Sequence, residues 1–257
     1  MDRLSRGLHS PIVRCVNLDV VLLPKYLEPR HLEGRTVVVF DVLRATTTMT
    51  AALAAGVNEI RIFAGIEEAA RAASRHAGAR ILCGEENCLP PPGFDLGNSP
   101  GAFQRPLHAG QTAYMSTTNG TRAIVAARGA ATILAGALVN ASAAARAVAE
   151  EGADVTLLCA GTGGAVAMED VLGAGAVMAR LHRIQPFNPE SDVALLARRL
   201  YEGAVDLRAA LTETRGGRNV VAAGLAADIE FAAAVDSVNI AGFVDQQTFA
   251  VKPLAGV

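Results

Sequence analysis

Short apolar runs rich in Val, Ile and Leu recur along this chain, each followed by an Ala-rich stretch of helical period. That alternation limits the fold more than any other feature, because strands separated by helices assemble into a sheet whose faces the helices cover. The runs predict strands over residues 13–18, 36–40, 59–63, 80–83, 111–116, 131–134, 154–159 and 237–244. Helices are predicted over 47–55, 66–76, 120–127, 142–150, 165–180, 191–203, 212–222 and 225–234. The expectation is one α/β domain over residues 1–257, with three layers (α/β/α) around a largely parallel or mixed sheet. A chain of 257 residues with 51% hydrophobic content is large enough to bury such a core.

The order of elements repeats. From Thr36 the chain reads as strand, Thr-rich turn, helix, short strand to Ala64-Gly65, helix, and strand to Cys83-Gly84. From Thr112 it reads as strand, the turn Thr117-Thr118-Asn119-Gly120-Thr121, helix, strand to Ala135-Gly136, helix, and strand to Cys159-Ala160-Gly161. Thr36 to Thr112 and Cys83 to Cys159 are both separated by 76 residues. An internal duplication of a βαβαβ unit, with halves about 36–88 and 112–165, gives this pattern; a chance likeness of two βαβ units gives it too. Under duplication the strand ends of both halves face one crevice, and Asp41 is a neighbour of the 117–121 turn.

A net charge of −2 without a basic block sets nucleic-acid binding aside. Met1 to Ser10 carry charges but no apolar segment of a signal peptide, and charges and glycines interrupt the Ala-rich runs well short of a membrane span. A cytoplasmic protein without a membrane partner is expected. Cys15, Cys83, Cys88 and Cys159 form no C-x-x-C pair, which points to buried, reduced thiols. The apolar, Ala-rich helices suggest a homodimer.

Chemistry-bearing residues gather where strands are expected to end. The run Val37-Val38-Val39-Phe40 closes in Asp41, with Arg44 three residues on and Thr46, Thr47 and Thr48 opening a helix. Open α/β folds hold ligands at that edge. Asp41, Glu85, Asp95 and the pair Glu169-Asp170 are acids at strand ends or helix starts. One to three carboxylates suffice for a hard cation such as Mg²⁺, whose remaining ligands are water and substrate oxygens. Taken singly, each of these acids also suits a helix cap or a turn. Three Gly/Thr-rich turns, 45–48, 116–121 and 160–164, can cradle an anion at a helix start. Walker, dinucleotide-binding and Gly-x-Ser-x-Gly patterns are absent. The loop 84–106, with Pro90-Pro91-Pro92, breaks the alternation and is expected to be ordered and functional.

Four segments together resemble the 2-phosphosulfolactate phosphatase family: Asp41-Val42-Leu43-Arg44-Ala45-Thr46-Thr47, Gly93-Phe94-Asp95-Leu96-Gly97-Asn98-Ser99-Pro100, Thr117-Thr118-Asn119-Gly120-Thr121, and Cys159-Ala160-Gly161-Thr162 with Glu169-Asp170 downstream. The resemblance is collinear from about Val37 to Asp236. It implies a Mg²⁺-dependent phosphatase acting on the phosphate ester of a small 2-hydroxy acid, with 2-phosphosulfolactate giving sulfolactate and phosphate. The chain departs from the family at Gly84-Glu85-Glu86, where members tend to carry Gly-Glu-Arg, and at Thr214-Arg215-Gly216-Gly217-Arg218, where they tend to carry His-Gly. Both departures touch recognition of acid groups rather than the overall chemistry.

On this resemblance Asp41, Glu85, Glu169 and Asp170 hold Mg²⁺ directly or through water. Asp41, Arg44, Glu85 and Asp95 form the catalytic set. Arg44 and the 117–121 turn (Thr117, Thr118, Asn119, Gly120 and Thr121) hold phosphate, with Thr46, Thr47, Gly161 and Thr162 beside them, while Asn98 and Ser99 orient the substrate. Direct attack by water and a phosphoenzyme on a carboxylate such as Asp41 are both compatible with these residues. Two other readings fit the same sequence: a non-catalytic sensor of a phosphorylated or sulfonated acid, and a metal-dependent lyase or isomerase of small acids.

Overall fold

The computed structural model describes residues 15–254. The expected start of the first strand at Val13 and the segment Met1 to Ser10 lie outside the described residues. Among the described residues the chain runs β1 (Val16–Val21), β2 (Thr36–Phe40), α1 (Ala45–Ala54), β3 (Glu59–Phe63), α2 (Ile66–Ser74), β4 (Arg80–Gly84), α3 (Arg105–His108) and β5 (Thr112–Ser116). It continues α4 (Gly120–Ala126), β6 (Thr132–Gly136), α5 (Ala141–Glu151), β7 (Val155–Cys159), α6 (Met168–Leu181) and β8 (Phe187–Pro189). Then come α7 (Asp192–Gly203), α8 (Leu207–Glu213), α9 (Arg215–Ala222), α10 (Ala227–Ala233), β9 (Gly242–Asp245) and β10 (Ala250–Pro253).

The strands form one mixed sheet in the order β4-β5-β3-β10-β9-β6-β2-β7-β1-β8. Every antiparallel pairing is made by β9 or β10; the rest of the sheet is parallel. The expected strand 237–244 is corrected to β9, which begins at Gly242 and turns into β10 as a hairpin wedged between β6 and β3. Strands β8 and β10 and helices α3 and α8 escaped the periodicity reading; β8 is a three-residue edge strand ending in Pro189, which cannot donate to a further ladder.

Counting through the hairpin, the block β3-β5-β4 runs opposite to the block β6-β2-β7-β1-β8. In a flat sheet their carboxyl ends would lie on opposite edges. They converge instead, because the sheet coils around α1 and α4. Val37 and Val39 from one block and Ile60, Ile62, Ile81 and Met115 from the other share a buried cluster with Met49 of α1 and Ile124 of α4. A helix enclosed this way has no solvent face, and α1 is buried from Ala45 to Leu53. The opposite face of the sheet packs Phe40, Leu157 and Cys159 under α5, α6 and the C-terminal helices.

The two segments that share an element order also share their pairing. Strand β2 lies between β6 and β7, and β5 lies between β3 and β4, so each unit places its first strand between the last two of the other. The registers correspond: Thr36 faces Thr132 and Val155, as Thr112 faces Glu59 and Arg80. No helix of the described residues is long and apolar enough to cross a membrane.

Candidate active site

The four strand ends that meet on this seam enclose a cleft of about 230 Å³. After β2 come Asp41, Leu43 and Arg44; after β4, Glu85, Asn87 and Cys88; after β5, Thr118 and Asn119; after β7, Thr162 and Gly163. Asn98 from the long loop completes one side, and Arg215, Gly216, Asn219 and Val220 of α9 close the other.

Asp41 sits at the start of two helices. Its Oδ1 accepts the Ala45 N–H of α1 at 3.1 Å. A Cβ on Gly120, the first residue of α4, would stand 2.5 Å from Ala45 Cβ and 2.6 Å from Asp41 Oδ2, so only glycine lets the helices meet there. Burial raises the Asp41 carboxyl to about 7; the Ala45 N–H works against that, and the nearby Glu85 and Glu169 add to it. Thr117 holds the equivalent place in the second unit, its Oγ1 accepting the Thr121 N–H at 3.1 Å.

The other acids divide by how fully they are engaged. Glu85 accepts the Thr118 N–H on Oε1 at 2.7 Å and the Cys88 N–H on Oε2 at 3.0 Å, tying the two loops together. Asp170 accepts the Val42 and Gly161 amides, one on each oxygen, both at 2.9 Å. It pins the ends of β2 and β7 from behind the wall, and burial with the charges of Asp41 and Glu169 lifts its pKa well above the ordinary range. Glu169, also behind the wall, faces Thr162, Thr214 and the Gly216 N–H, and burial raises its pKa as well. Its Oε2 is buried without a partner, and Asp41 Oδ2 accepts no hydrogen bond.

Crowded acids suit a divalent cation: Asp41 turns to the cleft an oxygen free of hydrogen bonds, and Glu169 holds an unpartnered oxygen buried behind its wall. Mg²⁺ is held by one or two carboxylates plus substrate and water oxygens. No three His, Cys, Asp or Glu side chains among the described residues converge as ligands of one ion, so the expected set of Asp41, Glu85, Glu169 and Asp170 does not gather into a single four-acid centre. Asp41 and Glu169 therefore fit the cation better than Glu85 or Asp170.

Arg44 is buried. Its Nη1 donates to Asp228 Oδ2 of α10 at 2.7 Å and to Ser99 Oγ at 3.1 Å, and its Nη2 to the Cys88 carbonyl at 2.6 Å. Asp228 carried no local sequence signal; it lies 184 residues from its partner. Arg215 and Asn219 came from the same C-terminal region, where only the Thr214 cap and the Gly216-Gly217 pair marked a helix start.

Several expected residues stand apart from the cleft. Thr46 and Thr47 lie in the enclosed helix and donate to the Asp41 and Val42 carbonyls at 2.9 and 2.8 Å. The Thr121 hydroxyl likewise donates to the Thr117 carbonyl. Asp95 accepts the Leu82 N–H and pairs with Arg80, fastening the long loop to β4 away from the cleft. Two of the four free thiols depart from the buried expectation: Cys15 is exposed, and Cys88 is half-buried at the cleft.

Comparison with known proteins gives one answer. Residues 21–247 match the family model described as 2-phosphosulpholactate phosphatase. A "Probable 2-phosphosulfolactate phosphatase" of Thermotoga petrophila is 37% identical over 85% of this chain and 91% of its own. Proteins of the same name from Carboxydothermus hydrogenoformans and Synechococcus sp. are 36% and 43% identical, the first over 88% of this chain and 92% of its own, the second over 62% and 66%. The chain belongs to the 2-phosphosulpholactate phosphatase family, a family of phosphoric monoester hydrolases.

Proposed function

We propose that this chain hydrolyses the phosphate ester of 2-phosphosulfolactate, releasing sulfolactate and phosphate, with Mg²⁺ bound by Asp41 and Glu169. The observation that carries this reading is that the carboxylates of Asp41 and Glu85 line one cleft with Arg44, Arg215, Asn98, Asn119 and Thr118, while Glu169 keeps an unpartnered buried oxygen behind its wall. A pure anion sensor gains nothing from acids there, since they repel phosphate.

Phosphate monoesters are among the slowest esters to hydrolyse, and enzymes accelerate the reaction by up to roughly 10²¹. Catalysis is then chiefly positioning and charge neutralisation. When bound, Mg²⁺ supplies the positive charge that lets a phosphate approach four acids and that stabilises charge on its oxygens in the transition state. Arg44, fixed by Asp228 and Ser99, lends its guanidinium to the phosphoryl group from the same loop as Asp41. Thr118 and Asn119, just before α4, line the cleft and offer the phosphoryl oxygens a hydroxyl and a side-chain amide. Asn98 lines the cleft and orients the substrate through its side-chain amide N–H groups. Glu85 and Asp170 keep the loops in register.

The test is phosphate release from 2-phosphosulfolactate with Mg²⁺ against EDTA, with analysis of the organic product. Release that stops with EDTA and yields sulfolactate supports the reading. Binding without turnover favours the sensor, and an organic product other than the hydroxy acid favours a lyase or isomerase.

A further inference from the structure

The cleft holds two arginines, and their charges are in different states. Arg44 is neutralised by Asp228 at 2.7 Å. Arg215 has no acidic partner within ion-pair distance among the described residues; its one bond is a long donation from Nη1 to the Thr162 carbonyl at 3.3 Å. The turn beneath it is bare. Gly163 has φ of +58°, and a Cβ there would stand 3.3 Å from Arg215 Nη2. The matching turn of the first unit carries side chains at the same two places, Asn87 and Cys88. Room for a guanidinium is thus made on one side of the seam only. Asn219 stands one helical turn along α9 from Arg215 and lines the same wall, adding an amide donor.

A 2-phospho acid brings two kinds of anion to this cleft. Its phosphate, with about two negative charges, is met by the cation, with the paired Arg44 adding hydrogen-bond donors rather than free charge. The acid group that stays on the product needs its own counter-charge, because Glu85 and Asp41 repel it. We propose that Arg215, assisted by Asn219, binds this retained acid group, a sulfonate or carboxylate, and so selects phosphorylated acids over other phosphate monoesters. The proposal rests on the phosphatase reading for its choice of ligand. A planar guanidinium matches the paired oxygens of either acid, which a lone ammonium does less well.

The test measures equilibrium binding of two probes, sulfolactate and inorganic phosphate, to the full chain with Mg²⁺ present. Arg215→Gln is expected to weaken sulfolactate about tenfold or more. Phosphate should change by less than about twofold, and Arg215→Lys should recover part of the loss. In turnover the Gln variant should raise KM while largely keeping kcat. Unchanged sulfolactate binding overturns the proposal, as does an equal loss for phosphate, which would put Arg215 on the transferred group. Arg215 is exposed, so a folding defect is not expected, and a melting curve checks it. Wild-type chain that binds sulfolactate through Arg215 yet releases no phosphate would remove the hydrolase reading and leave the acid subsite standing.

Discussion

The two units that meet at the cleft share strand register, caps and turns and differ in chemistry. In the first, Asp41 Oδ1 caps Ala45 and the Asp41 N–H donates to Thr46 Oγ1; in the second, Thr117 Oγ1 caps Thr121 and the Thr117 N–H donates to Thr121 Oγ1. The turn Glu86-Asn87-Cys88-Leu89 closes with paired hydrogen bonds of 2.9 and 3.2 Å, and so does Thr162-Gly163-Gly164-Ala165. Both turns carry two central residues at positive φ. Yet the first unit places Asp41, Arg44 and Glu85 in the cleft, and the second places Thr118, Asn119, Thr162 and Gly163 there. Strand ends and caps therefore fix the shape on both sides, while the residue at each equivalent end decides whether that side offers charge or hydrogen bonds.

The sharpest way to break this comparison is to neutralise matching positions. Asp41→Asn should lower kcat by about 10³-fold or more if the proposed cation ligation holds. Thr117→Val should cost far less activity but about 1 kcal/mol of stability through the lost cap, read by denaturant unfolding. Similar activity losses at both positions would erase the distinction between the units.

Next in size is the ion pair that only the first unit requires. Asp228→Ala leaves Arg44 buried without its counter-charge, and about 3–5 kcal/mol of stability should be lost, visible as a lowered melting temperature. Asp228→Asn, which retains a hydrogen-bond acceptor, should lose less.

A smaller effect separates the units by pH. Burial pushes the Asp41 carboxyl from the ordinary carboxylate range up to about 7, and Thr117 does not titrate. A raised acid favours the fold when protonated. Its contribution is therefore full below about pH 4 and is lost as pH climbs towards 7. Without divalent cation the chain should melt at a lower temperature at pH 8 than at pH 5, and Mg²⁺ should raise the melting temperature more at pH 8. Equal Mg²⁺ shifts at both would count against Asp41 as a ligand. Least of all, Cys88→Gly should stabilise by up to about 1 kcal/mol, since it relieves a left-handed side chain and makes the first turn like the second.

Much of this was legible in the sequence, for reasons that vary by residue. The Val37-Val38-Val39-Phe40 run announces a strand buried on both faces, and that strand is β2. The 76-residue spacing pointed to Asp41 and the 117–121 turn as neighbours, and Gly120 lies against Asp41. What a local pattern cannot carry is pairing at long range. Nothing in Gly242-Phe243-Val244-Asp245 says that this hairpin enters the middle of the sheet and reverses one block. The threonines of α1 read as an anion cradle, but a helix enclosed on all sides must satisfy its own hydroxyls, and Thr46, Thr47 and Thr50 bond to backbone carbonyls nearby. Asp228 carries no local signal because its role exists only once α10 folds over the cleft, and the segment around Arg215 stands out in the sequence only as a departure from the family pattern.

The central claim is the proposal that Asp41, in the cleft, and Glu169, behind its wall, hold the cation that makes this cleft hydrolytic. Titrating Mg²⁺ into phosphate-release assays of wild type, Asp41→Asn, Glu169→Gln and Glu85→Gln tests it most directly. The account predicts that Asp41→Asn and Glu169→Gln lose the Mg²⁺ response, while Glu85→Gln keeps it with a lower rate. Full Mg²⁺-dependent turnover by Asp41→Asn would contradict it.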